Sequence, residues 1–210
     1  MQRIKGISNY RKSLREKIID ISMRAFAEKG VRAVKMDNVA QSMSISKRTI
    51  YEIFGTKENL LFEGVRYFNQ QRMEKTEKAV SQMDNVMDVL LYVYYQKVDE
   101  FKEVNPVFYS DLRRYPEIVD YLKLESEKSK QALKEFIRRG ISEGYFRSDV
   151  NIELLSMMID SMTDLIMKNE LYKSYTMDEI FRHIVFVSIR GICTLKGVER
   201  LDEITTTVRK

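Results

Sequence analysis

Apolar residues recur along this chain at helical spacing. Leu14, Ile18, Ile21 and Ala25 form one stripe, widened by Ile19 and Phe26, and predict a first helix over about 8–29. Gly30 directly follows Lys29 and ends it. Two short helices are predicted next. One spans about 36–43 with Val39 and Ala40 inward; the other spans about 46–54 with Ile50 and Phe54 inward, one turn apart. Ser44-Ile45-Ser46 between them is too short for an antiparallel connection and suits a tight angular turn, with Ser46 as N-cap. Gly55-Thr56 breaks the second short helix, and Thr56 caps a long one running from Lys57 into the region of Ala79. Further helices are predicted near 85–104, 106–114, 117–143, 152–171 and 177–196. Pro106 and Pro116 fall in first turns, Gly144 follows an end, and Asp149 or Asn151 and then Thr176 serve as caps. The stretch 198–210 is expected to fray. No alternating pattern is long enough for a sheet, so the fold class is all-α.

Two predicted helices are apolar on more than one face. Leu154, Leu155, Met158, Ile159, Met162, Leu165 and Ile166 wrap around the 152–171 helix, and Phe181, Ile184, Val185, Ile189 and Ile192 around the 177–196 helix. Such helices must bury one face within the chain and another against a partner. Composition fits a helical globule: 44% hydrophobic residues, with only 8 Gly and 2 Pro in 210 residues. The net charge of +5 is uneven, since residues 1–60 hold 13 Lys/Arg against 6 Asp/Glu. A basic head on a nearly neutral body points to a polyanionic partner at one end. The single cysteine, Cys193, excludes an intrachain disulfide and fits a reducing compartment. The basic start has no apolar stretch behind it, and clusters such as Ile184-Val185-Phe186-Val187 fall short of the roughly 20 residues of a membrane span. A soluble, cytoplasmic protein is expected.

The chemistry concentrates between Gly30 and Leu61. A helix that reads DNA needs polar side chains at its exposed start and apolar ones at its back. Ser46, Lys47, Arg48 and Thr49 supply the first, and Ile50 and Phe54 the second. The Tyr51 hydroxyl at the outer edge can reach a phosphate. Lys57, with the amides at the start of its helix, forms a candidate anion site. Lys and Arg can donate to guanine, and Ser and Thr can contact several base edges.

These residues resemble the N-terminal domain of TetR-type (tetracycline-repressor-like) transcriptional regulators. The resemblance rests on Gly30, Val39-Ala40, Ser46-Lys47-Arg48-Thr49-Ile50-Tyr51, Phe54 and Lys57-Glu58-Asn59-Leu60. It implies a helix-turn-helix DNA-binding domain over 1–56 and a helical ligand-binding and dimerisation domain over 57–210, with the boundary along the 57–80 helix. Two positions depart from the pattern. Lys35 stands where the family commonly has a capping Thr; it cannot cap but can bind a phosphate. Ser44 stands where the turn usually has Gly, and a left-handed serine costs about 1 kcal/mol. Arg48 occupies a position that is small in many relatives. The expected DNA contacts are therefore Lys35, Ser44, Ser46, Lys47, Arg48, Thr49, Tyr51 and Lys57.

The resemblance further implies a homodimer through the helices at 152–171 and 177–196, a palindromic double-stranded DNA operator and a small-molecule effector. Tyr92, Tyr95, Phe101, Phe108 and Tyr109, with Met158 and Met162, are candidate pocket residues for a largely apolar ligand. The resulting expectation is a sequence-specific regulator, a repressor released by its ligand. A helical protein-interaction adaptor is the alternative. An all-helical enzyme has little to support it: there is no nucleophile motif, no glycine-rich phosphate loop and no metal-ligand cluster. The lone His183 makes a poor metal signal, and no cofactor is expected.

Overall fold

The computed structural model describes residues 2–207, with side chains described from Arg11 to Thr206. Its helices are α1 (Gln2–Lys29), α2 (Met36–Ser42), α3 (Lys47–Phe54), α4 (Lys57–Val80), α5 (Val86–Glu103), α6 (Pro106–Leu112), α7 (Pro116–Ser142), α8 (Ile152–Lys168), α9 (Met177–Ile180), α10 (Phe186–Arg190) and α11 (Leu195–Thr207). Among the described residues there is no strand, and the all-α class stands. A lone antiparallel bridge joins Phe146 and Cys193. No described helix is long and apolar enough to cross a membrane.

The chain forms two compact units. The first takes Met1–Thr76 together with Glu103–Tyr121; the second takes Glu77–Lys102 together with Leu122–Lys210. The division falls inside α4, and α6 with the start of α7 returns to the first unit.

The first unit has a core of Ile18, Ile19 and Phe26 from α1, Val39 and Ala40 from α2, Ile50 and Phe54 from α3, and Leu60 and Leu61 from α4. The amphipathic stripe of α1 thus packs where its spacing aims it. Gly30 ends α1 with φ +81, its N–H donating to the Phe26 carbonyl at 2.8 Å. Helix α6 adds Phe108 and Leu112 to the same core. It grips the α1 end at several backbone groups. Asn105 N–H donates to the Ala27 carbonyl at 2.8 Å, and its side chain donates to the Glu28 carbonyl at 3.2 Å. Asp111, 4% exposed, accepts from the Arg32 N–H at 3.1 Å.

The second unit packs Val86, Met87, Leu90 and Tyr94 of α5 against Phe146, Phe181, Phe186, Leu201 and Ile204. The Tyr94 hydroxyl donates to Asp178 at 2.5 Å, and Asp178 also accepts from Arg182. Glu143 accepts from the Val86 N–H at 2.7 Å and so caps α5. Asn151 caps α8, accepting from the Leu154 N–H at 3.1 Å. Thr176 and Glu179 form a reciprocal capping box for α9.

Two expectations for the C-terminal region are corrected. The helix anticipated over 177–196 contains a π-turn at Phe181–Val185 and ends at Arg190. The stretch expected to fray instead forms α11, which buries Leu201 and Ile204; Val208 to Lys210 lie outside the described residues. Thr194 caps α11 at the Gly197 N–H, 3.2 Å away. Gly197 approaches the chain so closely that a Cβ there would sit 2.1 Å from the Tyr145 carbonyl oxygen.

Candidate nucleic-acid interface

The turn between α2 and α3 is built from backbone hydrogen bonds. Ser44 N–H donates to the Gln41 carbonyl at 3.1 Å, and Ile45 N–H to the Ala40 carbonyl at 3.0 Å. These are the two bonds of a Schellman helix end, and Ser44 takes the position that favours glycine, with φ 54. The strain anticipated for this serine is therefore present in the fold. Ser44→Gly is expected to stabilise the first unit by about 0.5–1 kcal/mol, the relieved strain being partly offset by the glycine's entropy. A thermal melt checks this; an unchanged or lower midpoint would mean that the turn stores no strain.

Helix α3 follows at once. Ser46 is extended, with φ −79 and ψ 146, and accepts from the Thr49 N–H at 3.0 Å. Its hydroxyl also lies 2.8 Å from the Thr49 hydroxyl. The cap fixes the first turn while Ile50 and Phe54 anchor the back of the helix in the core. Lys47, Arg48, Tyr51 and Glu52 are left exposed on its other side. Lys47 Nζ donates to Asp37 of α2 at 2.8 Å, and this bond raises the Lys47 pKa. Arg48 Nε donates to Glu52 at 2.7 Å, which raises the Arg48 pKa. Exposed pairs of this kind add little stability; the Lys47 ammonium can exchange Asp37 for another anion at low cost, and the bond at Arg48 Nε leaves the terminal guanidinium nitrogens for a further partner. Lys35 is exposed in extended backbone before α2, with no side-chain cap bond, as a lysine there must be.

Lys57 is placed differently from the expectation. Its ammonium donates to the carbonyls of Val31 and Val34, both at 2.6 Å, and lies 5.6 Å from the centroid of the Phe26 ring. Burial pulls its pKa below the usual lysine value, partly offset by Glu58 and Asp111. Two of the three donors of an ammonium are thus committed to the turn between α1 and α2. Thr56 caps α4 at the Asn59 N–H, 3.0 Å away.

The candidate pocket residues are divided between the two units. Phe108 and Tyr109 belong to the first unit, where Phe108 is buried core. Tyr92, Tyr95, Phe101, Met158 and Met162 belong to the second. There the Phe101 ring meets Tyr172 at 6.2 Å, and the Met162 sulfur accepts from the Ser188 hydroxyl at 3.2 Å. Tyr95 and Met158 are exposed. An open cleft of about 500 Å³ in this unit is lined by other residues, among them Arg182, His183, Phe186, Arg190 and Leu201. His183 is exposed, while Cys193 is buried, its thiol pushed up to about 11. A buried, protonated thiol is chemically quiet. Among the described residues no His, Cys, Asp and Glu side chains cluster to hold a metal ion.

Two short helices joined by a tight turn, the second capped, apolar behind and cationic in front, define a helix-turn-helix DNA-binding protein. Comparison with known proteins makes this specific. Residues 18–63 match the profile of bacterial regulatory proteins of the tetR family. The repressor KstR2 of Mycobacterium tuberculosis is 25% identical over 169 residues, covering 78% of this chain and 82% of its own. A transcriptional regulator from Saccharomonospora viridis, solved in complex with choline, superposes with a TM-score of 0.71 at 18% identity, over 87% of this chain and 99% of its own. The regulator FadR of Bacillus subtilis, solved with stearoyl-CoA, gives 0.62 at 19% identity, over 84% and 98%. The profile match over residues 18–63 and the KstR2 relative together support a TetR-type regulator. The chain is a DNA-binding regulator and not an enzyme.

Proposed function

We propose that this protein is a homodimeric repressor that places one α3 per protomer in the major groove of a palindromic operator and is released by a small, largely apolar effector. The observation that carries the reading is α3 itself: capped and anchored from behind, with Lys47, Arg48 and Tyr51 exposed together. Lys35, Ser44, Ser46 and Thr49 complete the contact set around the turn. A two-fold dimer suits two half-sites spaced by about one helical turn or more.

Helix α8 supports a placement of the dimer face. Leu154, Met157, Met158 and Leu165 are exposed at 64, 65, 40 and 48%. They stand at i, i+3, i+4 and i+11, a single stripe, while Leu155 and Ser156 are buried. Val187 of α10 adds a further exposed apolar side chain at 62%. A stripe of this kind on a regulator that must be two-fold symmetric is read as the bundle seam with a second copy.

The effector domain is assigned to the second unit. Relatives solved with choline and with stearoyl-CoA support effector binding in this fold; Tyr92, Tyr95, Phe101 and Met162 supply apolar and aromatic surface for it, while Met158 goes to the seam. The route to DNA runs along the chain. Helices α5 and α7 lead into and out of α6, which holds the α1 end through Asn105 and Asp111. A shift in α5 or α7 therefore reaches the reading head through this grip. The effector acts only as far as it binds the two states differently.

The test is fluorescence anisotropy against the DNA upstream of the protein's own gene and against random duplex, over a salt series. Tight binding to the former is expected, with weaker and steeply salt-dependent binding to the latter. Equal weak binding to both would overturn the proposal in favour of an adaptor.

A further inference from the structure

We propose that Glu52 is a positioning residue for base recognition: its carboxylate holds Arg48 by the Nε edge and so aims the far end of the guanidinium at guanine. The inference rests on the reading of α3 as the helix that enters the groove. Arg48 Nε donates to Glu52 Oε1 at 2.7 Å, across one turn of α3, and both side chains are exposed. A guanidinium is a planar fork with five N–H donors. A bond at Nε fixes that plane and leaves the two terminal nitrogens, which are the pair that grips guanine O6 and N7.

Helix stability does not account for the pair. A carboxylate C-terminal to its cation is the weaker order at this spacing, and exposed pairs contribute little. Electrostatics makes the carboxylate costlier still. Facing DNA, Glu52 repels the phosphates and lowers affinity for any sequence. A group that weakens sequence-independent binding while orienting a base-reading arginine raises the ratio of specific to non-specific binding. Lys47 offers the contrast. Asp37 Oδ2 lies 2.8 Å from its ammonium, but an ammonium is a point charge with no plane to set. Asp37 therefore supplies no base preference.

The test uses the full chain and a randomised duplex library, read for preference at each base pair. Wild type is expected to prefer guanine at one position per half-site, and Arg48→Ala to abolish that preference. Glu52→Gln is expected to reduce it about two- to twelvefold, the loss for an arginine no longer held in place, and to raise affinity for random DNA. Arg48→Ala with Glu52→Gln should match Arg48→Ala alone in preference, and Asp37→Asn should leave preference unchanged. Because both side chains of the pair are exposed, thermal melts should show the variants folded. Wild-type preference in Glu52→Gln overturns the proposal. So does an effect of Glu52→Gln that persists without Arg48, which would make Glu52 a direct reader of cytosine. A wild type with no preference at any position removes the DNA-reading function and this inference together.

Discussion

Met157→Lys in the exposed stripe of α8 is expected to convert the protein from dimer to monomer and to lower operator affinity by about 10²-fold or more. The side chain is 65% exposed within its own protomer, between Leu154 and Met158 on one side and Leu165 further along. In the free chain a lysine there meets water and costs little. In a two-fold interface the substitution appears twice, so two ammonium groups must be taken into one apolar seam. Losing the dimer loses more than a contact. Two linked heads bind a palindrome with the second event made intramolecular, and a single head has no such gain. Sedimentation reads the mass, anisotropy reads the affinity, and circular dichroism should show the helices retained. A dimer that persists in Met157→Lys, or a monomer that keeps full operator affinity, would remove the α8 stripe from the interface. Leu155→Lys makes the contrast: that side chain is buried within the protomer, and its substitution should unfold the second unit instead.

The parts of this molecule that were legible in its sequence are those where side-chain identity encodes the structure. Helix α3 is an example. Its cap at Ser46, its anchors at Ile50 and Phe54 and its exposed cations all fall within nine consecutive residues, and the period of 3.6 sorts them onto faces without further information. The left-handed Ser44 was also foreseeable, because a turn this tight demands it. What escaped depends on backbone partners or on distant segments. The carbonyls that receive Lys57 belong to Val31 and Val34, and any residue pair offers the same acceptors. Asn105 and Asp111 likewise bond to backbone groups of α1 and its turn. Phe108 is buried in the first unit's core, and its neighbours there are set by where α6 docks. For α11 a signal was available: Val198, Leu201 and Ile204 recur every three residues behind the Thr194 cap, but the many polar residues between them masked the stripe. The Arg48 and Glu52 spacing was also present in the sequence and gains meaning only once Ile50 and Phe54 turn both outward.

Lys57→Ala is expected to destabilise the first unit by about 2–3 kcal/mol, the scale for losing hydrogen bonds from a charged donor to part-buried carbonyls. The ammonium closes the turn between α1 and α2 from the start of α4, so three helices of the reading head share one cation. Its approach to the Phe26 ring, 5.6 Å from the centroid, contributes a further fraction of that. Lys57→Met keeps much of the stem and removes the donors, and should cost a similar amount; that would separate the hydrogen bonds from simple packing. DNA binding then weakens for every sequence because fewer heads are folded. Its salt dependence stays near that of wild type when measured well below the melting range. A phosphate contact behaves otherwise. Its loss would lower the slope of log affinity against log salt by about one unit per contact, and a symmetric dimer loses two. Unchanged stability with a slope reduced by about two would place the ammonium on the DNA backbone and undo the assignment made from the Val31 and Val34 carbonyls. A lowered melting midpoint with the slope intact keeps Lys57 inside the head, and leaves the phosphate contacts to be sought among the exposed cations, Lys35, Lys47 and Arg48 first.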